Sequence, residues 1–184
     1  MEVTTTPLSG VLVLKPKRFF DPRGFFSETY NQRRFEQAGV DVVFIQDNVS
    51  VSKPRGTLRG LHFQKEPFAQ AKLVGVLAGS IRDVAVDLRR SSPTFGQHFS
   101  VLLSAEEGNQ IFVPTGFAHA FLTLEPDTMI FYKVSNFYSP EHDAGIRFDD
   151  PQLGIDWGMY RASVVTSDKD RQLPSFDRQT VYFP

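Results

Sequence analysis

The 184-residue chain contains no cysteine, which excludes disulfides, thiol nucleophiles and thiolate metal sites. Neither sign of charge is in excess. The formal net charge is -1, no block of like charges marks a tail, and the basic surplus that tracks along nucleic acid is missing. No nucleic-acid partner is expected. No apolar run reaches membrane-spanning length, the longest candidates being broken by charges such as Asp83 and Asp87, so no membrane partner is expected either. The start, Met1 to Pro7, is polar and lacks a basic stretch followed by an apolar one. No secretory signal is read there, and a cytoplasmic location is the expectation. Histidine is scarce, four residues in all, and no His-x-His pair occurs. Metal-dependent sites of this kind gather several imidazoles and a carboxylate at one point, so no metal is expected.

What the chain does have is a succession of short runs rich in Val, Ile, Phe and Thr, separated by Gly, Pro, Asn and Ser. That pattern predicts an all-β sandwich or barrel. At this length the simplest organisation is one domain over residues 1–184. Strands are expected at Val11–Leu14, Gly24–Tyr30, Val43–Val51, Thr57–Gln64, Ala71–Ala78, Ile81–Asp87, Gln97–Leu103, Gln110–Val113, Ala118–Leu124 and Met129–Val134. The clearest turn is a hairpin through Gly79-Ser80, where Gly supplies positive φ between two alternating runs. One helix is expected over Asn31–Ala38, with Asn31 as N-cap and Gly39 beyond its end. Past Ser139 the chain is polar and irregular, and is read as a flank covering one end of the barrel. Eighteen phenylalanines exceed ordinary usage. Most must be core, but Phe19, Phe20, Phe25 and Phe26 fall near candidate site residues, where one or two of them offer a stacking surface for a base.

His62 lies in Arg59-Gly60-Leu61-His62-Phe63-Gln64, and strict alternation would put Arg59 and His62 on opposite faces. A bulge at Gly60 would turn both inward; the alternative is a core histidine satisfied by backbone. Lys72 shares a face with Val74 and Val76. It either snorkels to water from the strand end or points into a cavity where it stabilises an oxyanion. Asp83 and Asp87 share a face with Ala85, so at least one carboxylate is expected to point inward beside a cation. Tyr132, in Phe131-Tyr132-Lys133, reads by itself as an ordinary core tyrosine, or as an acid facing a base across a cavity.

Several blocks, in order, carry more information than any single one. Asp21-Pro22-Arg23-Gly24-Phe25-Phe26-Ser27-Glu28, Gln46-Asp47-Asn48, Leu58-Arg59-Gly60-Leu61-His62-Phe63-Gln64, Asp83-Val84-Ala85-Val86-Asp87-Leu88-Arg89, Ser91-Ser92-Pro93-Thr94-Phe95-Gly96 and Pro114-Thr115-Gly116-Phe117-Ala118-His119 closely resemble the dTDP-4-dehydrorhamnose 3,5-epimerase family over essentially the whole chain. The resemblance implies a cupin-type jelly-roll barrel with a few short flanking helices, acting without a cofactor. It also implies that His62 is the general base and Tyr132 the general acid, with Asp170 holding His62 in one tautomer. Lys72 would stabilise an enolate oxygen, and His119 would line the same cavity. In dTDP-4-dehydro-6-deoxy-D-glucose the C4 ketone acidifies C3 and C5, so a base removes a proton and reprotonation from the other face inverts the centre. One preorganised donor at the oxyanion contributes about 3 kcal/mol.

For the nucleotide end the resemblance points to Arg23, Arg59 and Lys169 on the diphosphate. It places Glu28, Gln46, Asp47 and Asn48 at the thymidine, with Phe19 or Phe26 stacking. Two positions depart from the pattern or compete within it. Asp143 stands where the family commonly has a glutamate, one methylene longer. Tyr138, six residues beyond Tyr132, ranks second as the acid. Relatives of this fold include dimers with exchanged N-terminal strands, which implies a homodimer in which the Arg23–Glu28 segment serves the partner's cavity. The competing readings are a mono-epimerase or 3,4-ketoisomerase of a related sugar, a metal cupin, and a non-catalytic sugar-binding barrel.

Overall fold

The computed structural model describes residues 1–184. In chain order the strands are β1 (Glu2–Thr5), β2 (Leu12–Lys15), β3 (Arg18–Asp21), β4 (Gly24–Ser27), β5 (Gln46–Ser52), β6 (Leu58–Gln64), β7 (Lys72–Ala78), β8 (Ser80–Asp87), β9 (His98–Ser104), β10 (Gln110–Val113), β11 (Phe117–Thr123), β12 (Thr128–Val134) and β13 (Asp143–Gly145). Helix α1 spans Gln32–Gln37 and α2 spans Asp168–Arg171, with one 3-10 turn at Arg161–Ser163. Six strands form one sheet in the order β1-β2-β10-β7-β12-β5, five form a second in the order β13-β6-β11-β8-β9, and β3 and β4 make a separate hairpin. The two larger sheets, antiparallel throughout, face each other as an all-β jelly-roll barrel. No helix is long and apolar enough to cross a membrane.

Period-two alternation explains how the core divides. Phe117 and Phe121 of β11 and Ile81 and Ala85 of β8 meet Val74 and Val76 of β7 and Ile130 of β12 between the sheets. Their neighbours Ala118, Ala120 and Leu122, with Val84 and Val86, point the other way into a second cluster. That cluster is completed by Ile146, Phe148, Leu153, Trp157, Phe176 and Phe183 from the C-terminal segment. Each of these large side chains withdrawn from water contributes about 2 kcal/mol. The segment beyond Ser139 therefore covers the outer face of the five-stranded sheet, where an end of the barrel was expected. A third cluster packs Phe35 of α1 and Val40 on Leu14, Leu73 and Phe112 behind the six-stranded sheet.

Most predicted strands are present within a few residues, and α1 is capped as expected: the Asn31 side chain accepts the Arg34 N–H, and Gly39 follows at φ +93°. Three strands were not anticipated. β1 and β3 are exposed along nearly their whole length and show no alternation, and β13 has three residues. The Gly79-Ser80 hairpin is a correction. Gly79 does turn the chain at φ +77°, but β7 pairs with β10 and β12 while β8 pairs with β9 and β11. The turn carries the chain from one sheet to the facing one. Two alternating runs each bury one face whether they lie side by side or opposite, so periodicity does not separate the two outcomes.

Candidate active site

The bulge anticipated at Gly60 sets the aim of His62. Between β6 and β11, His119 pairs with His62 while Phe121 pairs with Arg59, so three steps on β6 match two on β11. The extra residue breaks alternation, and Arg59 and His62 both line one cavity of about 490 Å³. Gly60 can have no side chain: its φ is +120°, and a Cβ there would fall 2.6 Å from Ala120 Cβ and from the His119 carbonyl oxygen.

Into this cavity the two sheets and the C-terminal segment bring Arg59 and His62 from β6, Lys72 from β7, His119 and Phe121 from β11, Ile130 and Tyr132 from β12, and Lys169 and Asp170 from α2. Asp170 arrives through a chain of backbone ties. Val165 makes a parallel bridge to Thr57, its N–H donating to Gly56 and its carbonyl accepting from Leu58. Ser167 then caps α2 by accepting the Asp170 N–H at 3.1 Å. The Asp170 carboxylate accepts from His62 Nε2 at 2.6 Å and from the Gly60 N–H at 3.3 Å. Burial pushes this carboxyl up most strongly of any single influence. The bonds from His62, Gly60 and Ser167 together outweigh it and hold the group below its ordinary range. An ionised carboxylate only accepts, so neutral His62 carries its hydrogen on Nε2 and keeps Nδ1 basic.

A second pair lies deeper. His119 Nε2 stands 2.9 and 2.8 Å from the two oxygens of the fully buried Asp83. Asp83 is thus the inward carboxylate, bonded to the His119 imidazole and acting through space on the Lys72 amine. Asp87, by contrast, is held by Arg89, Ser92 and Thr94 away from the cavity. Lys72 points inward with Val74 and Val76, and its amine has no hydrogen-bond partner. Burial lowers it to about 8, against the opposing pull of Asp143 and Asp83. Tyr132 is half-buried; burial pushes its hydroxyl up and the Arg59 charge only partly offsets this, so it stays protonated. Arg59 is braced at the cavity by the Val51 carbonyl and Ser52.

Other expected residues lie outside this lining. Arg23 is almost fully exposed and paired with Asp21; Phe19 and Phe26 sit exposed on the β3–β4 hairpin. Glu28 bonds Asn31 and Arg34. On β5, Gln46 donates to Asn48 and Asp47 pairs with Lys133, while Ser50 of the same strand does reach the cavity. Asp143 does not line it: one of its oxygens is shared by the Tyr138 hydroxyl, at 3.1 Å, and the Lys169 amine. Tyr138 is itself exposed. Sequence reasoning missed Ser167, whose signal was the Ser-x-x-Asp spacing of an N-cap, and Thr57 and Thr166 of the cavity wall, which carried none. No three His, Asp or Glu side chains gather with metal-ligand spacing.

A family model described as dTDP-4-dehydrorhamnose 3,5-epimerase matches residues 5–178. An enzyme of that name from Sinorhizobium fredii is 48% identical over 176 residues, 96% of this chain and 90% of its own. Among solved structures, a dTDP-4-dehydrorhamnose 3,5-epimerase from Bacillus anthracis with TDP and PPi bound superposes with a TM-score of 0.92 at 48% identity, covering 95% of this chain and 99% of that one. An epimerase from Legionella pneumophila in complex with dTDP-4-keto-L-rhamnose gives 0.88 at 40% identity, covering 96% and 98%.

Proposed function

The chain belongs to the dTDP-4-dehydrorhamnose 3,5-epimerase family, and from that premise we propose how its residues divide the reaction. The protein is a carbohydrate isomerase of dTDP-L-rhamnose biosynthesis, converting dTDP-4-dehydro-6-deoxy-D-glucose to dTDP-4-dehydro-L-rhamnose. His62 Nδ1 removes the proton from C3 or C5, with Asp170 fixing the tautomer and stabilising the imidazolium that results. Tyr132, still protonated, returns a proton to the opposite face. Lys72, as the ammonium, and the His119–Asp83 pair stand where an enolate oxygen needs donors. The pairing of His62 with Asp170 at 2.6 Å in the wall that faces Tyr132 carries this reading. Proton transfer of this kind calls for neither metal nor redox cofactor.

Arg59 and Lys169 take the diphosphate at the cavity mouth in the same proposal. The residues that lie outside the lining, Arg23, Glu28, Phe19 and Phe26, serve the cavity of a second copy in a homodimer with exchanged N-terminal strands. The exposed phenylalanines of β3–β4 and the exposed Val49, Val51 and Leu77 on the six-stranded sheet support it, since apolar faces of this kind mark interaction surfaces. The nucleotide-sugar substrate supports a cytoplasmic site of action.

Incubation with the 4-dehydro sugar in heavy water tests the assignment. Deuterium at both C3 and C5 of a 4-dehydrorhamnose product is expected, and His62→Ala should abolish it in a folded protein. Deuterium at one carbon alone would replace the reading with a mono-epimerase or ketoisomerase, and exchange surviving in His62→Ala would remove His62 as the base.

A further inference from the structure

The amine of Lys72 is set apart from other lysines of the chain by its surroundings. Lys15, Lys53, Lys133 and Lys169 each pair with a carboxylate, at Glu107, Asp127, Asp47 and Asp143 respectively. Lys72 has none. It extends from β7 into the 490 Å³ cavity, with Asp83 and Asp143 acting on it only through space. A lysine held as a permanent cation is a poor nucleophile because its lone pair is protonated. An unpaired amine inside a walled cavity keeps that lone pair free for part of the time. The same cavity is lined by Arg59 and Lys169, so a small anion entering it meets cations that can hold a phosphate.

We propose that Lys72 is a covalent capture site for small aldehydes that carry a phosphate, binding them reversibly as an imine and so blocking the cavity. The amine lone pair adds to the aldehyde carbon, forming the C–N bond and moving the carbonyl electron pair to oxygen, which takes a proton. The resulting carbinolamine expels that oxygen as water while nitrogen loses its remaining extra hydrogen. No oxidant or reductant is consumed, and hydrolysis runs the same steps backwards. His119 and Tyr132 share the cavity and are the groups able to shuttle the two protons. The phosphate serves only to raise occupancy. The capture itself needs the amine and the cavity and does not rest on the epimerisation roles given above.

Pyridoxal 5′-phosphate is the probe. The intact protein is incubated with it at pH 7.5, reduced with borohydride to freeze the imine as a secondary amine, and mapped by peptide mass. One adduct at Lys72 is expected, forming at least about tenfold faster than at exposed lysines, because the larger neutral fraction of its amine outweighs its lower basicity. Its rate should rise to a plateau through pH of about 8. Pyridoxal without the phosphate should label Lys72 several-fold more slowly. The Lys72→Arg and Lys72→Met variants, checked for the native circular dichroism spectrum, should lose the adduct. Labelling spread evenly over the surface lysines, or an adduct of unchanged yield in Lys72→Met, would overturn the proposal. Thymidine diphosphate should protect Lys72. Labelling at Lys72 that it does not slow would leave the capture site standing and count instead against the cavity being the nucleotide-sugar site.

Discussion

His62 and Asp170 lie 108 residues apart in the chain and 2.6 Å apart in the fold. The contact joins a bulged strand of the five-stranded sheet to a four-residue helix that the Ser167 cap and the Val165 bridge pin against that strand's start. Because the carboxylate also takes the Gly60 N–H, the bulge and the His62 imidazole are held by one group. Replacing Asp170 with Asn leaves an isostere whose amide can present a donor to Nε2 and reverse the tautomer. Turnover should fall roughly 100-fold or more, while the unfolding midpoint changes little by comparison. Retained turnover in Asp170→Asn, measured beside urea unfolding, would separate the pair from catalysis.

The two candidate acids should part in kinetics. Tyr132 is in the cavity and raised by burial; Tyr138 is exposed and bonded to Asp143. Tyr132→Phe should lower kcat about 100-fold. Tyr138→Phe should leave kcat close to that of the parent and, if anything, raise KM, the sign of a binding contact. Steady-state kinetics of both variants decides it, and the reverse pattern would hand the acid role to Tyr138.

Lys72 makes activity and stability depend on pH in opposite ways. In the proposed mechanism it stabilises the enolate as an ammonium, so turnover is expected to decline as pH rises through about 8. Lys72→Arg, charged throughout that range, should move the decline upward even if its maximum is lower. For stability, the folded-state value lies below the ordinary lysine value of 10.5. The unfolded chain therefore binds more protons between the two. The cost of the buried charge is present in full below about pH 8 and is relieved as pH rises toward 10.5. Lys72→Met should consequently raise the urea midpoint at pH 7 and flatten its rise above pH 8.

Gly60 is the place where the fold tolerates least. A methyl group there meets the Ala120 Cβ and the His119 carbonyl at 2.6 Å, from a backbone φ of +120°. Gly60→Ala should cost about 2–4 kcal/mol. The neighbouring carbonyl belongs to His119, so activity should fall further than the fraction of unfolded protein explains. Urea unfolding paired with turnover at equal folded fraction checks both parts.

Much of this molecule could be read before it was seen. The short apolar runs Ile81–Asp87 and Ala118–Leu124 mark strands because both of their faces are buried, one in each of two clusters, and Asn31 and Gly39 mark the ends of α1 because capping is local chemistry. The exposed β1 and β3 escaped because a strand that buries neither face writes no alternation into its residues. The resemblance to known epimerases named His62, Lys72, Tyr132 and Asp170 together, and these do line one cavity. It also named Asp143, which the fold turns toward Lys169 and Tyr138.

By itself, then, the sequence determined what depends on neighbours along the chain: β-rich composition, strand periodicity, helix caps, and Gly60 as the position where alternation could break. Only the tertiary structure decided which strands pair and which face each other across the core, as at Gly79. It alone decided that Asp83 meets His119 rather than solvent and that a polar C-terminal segment delivers Asp170 to His62. Those outcomes depend on packing between residues distant in the chain, and a period of two says which side of a strand is buried without saying against what.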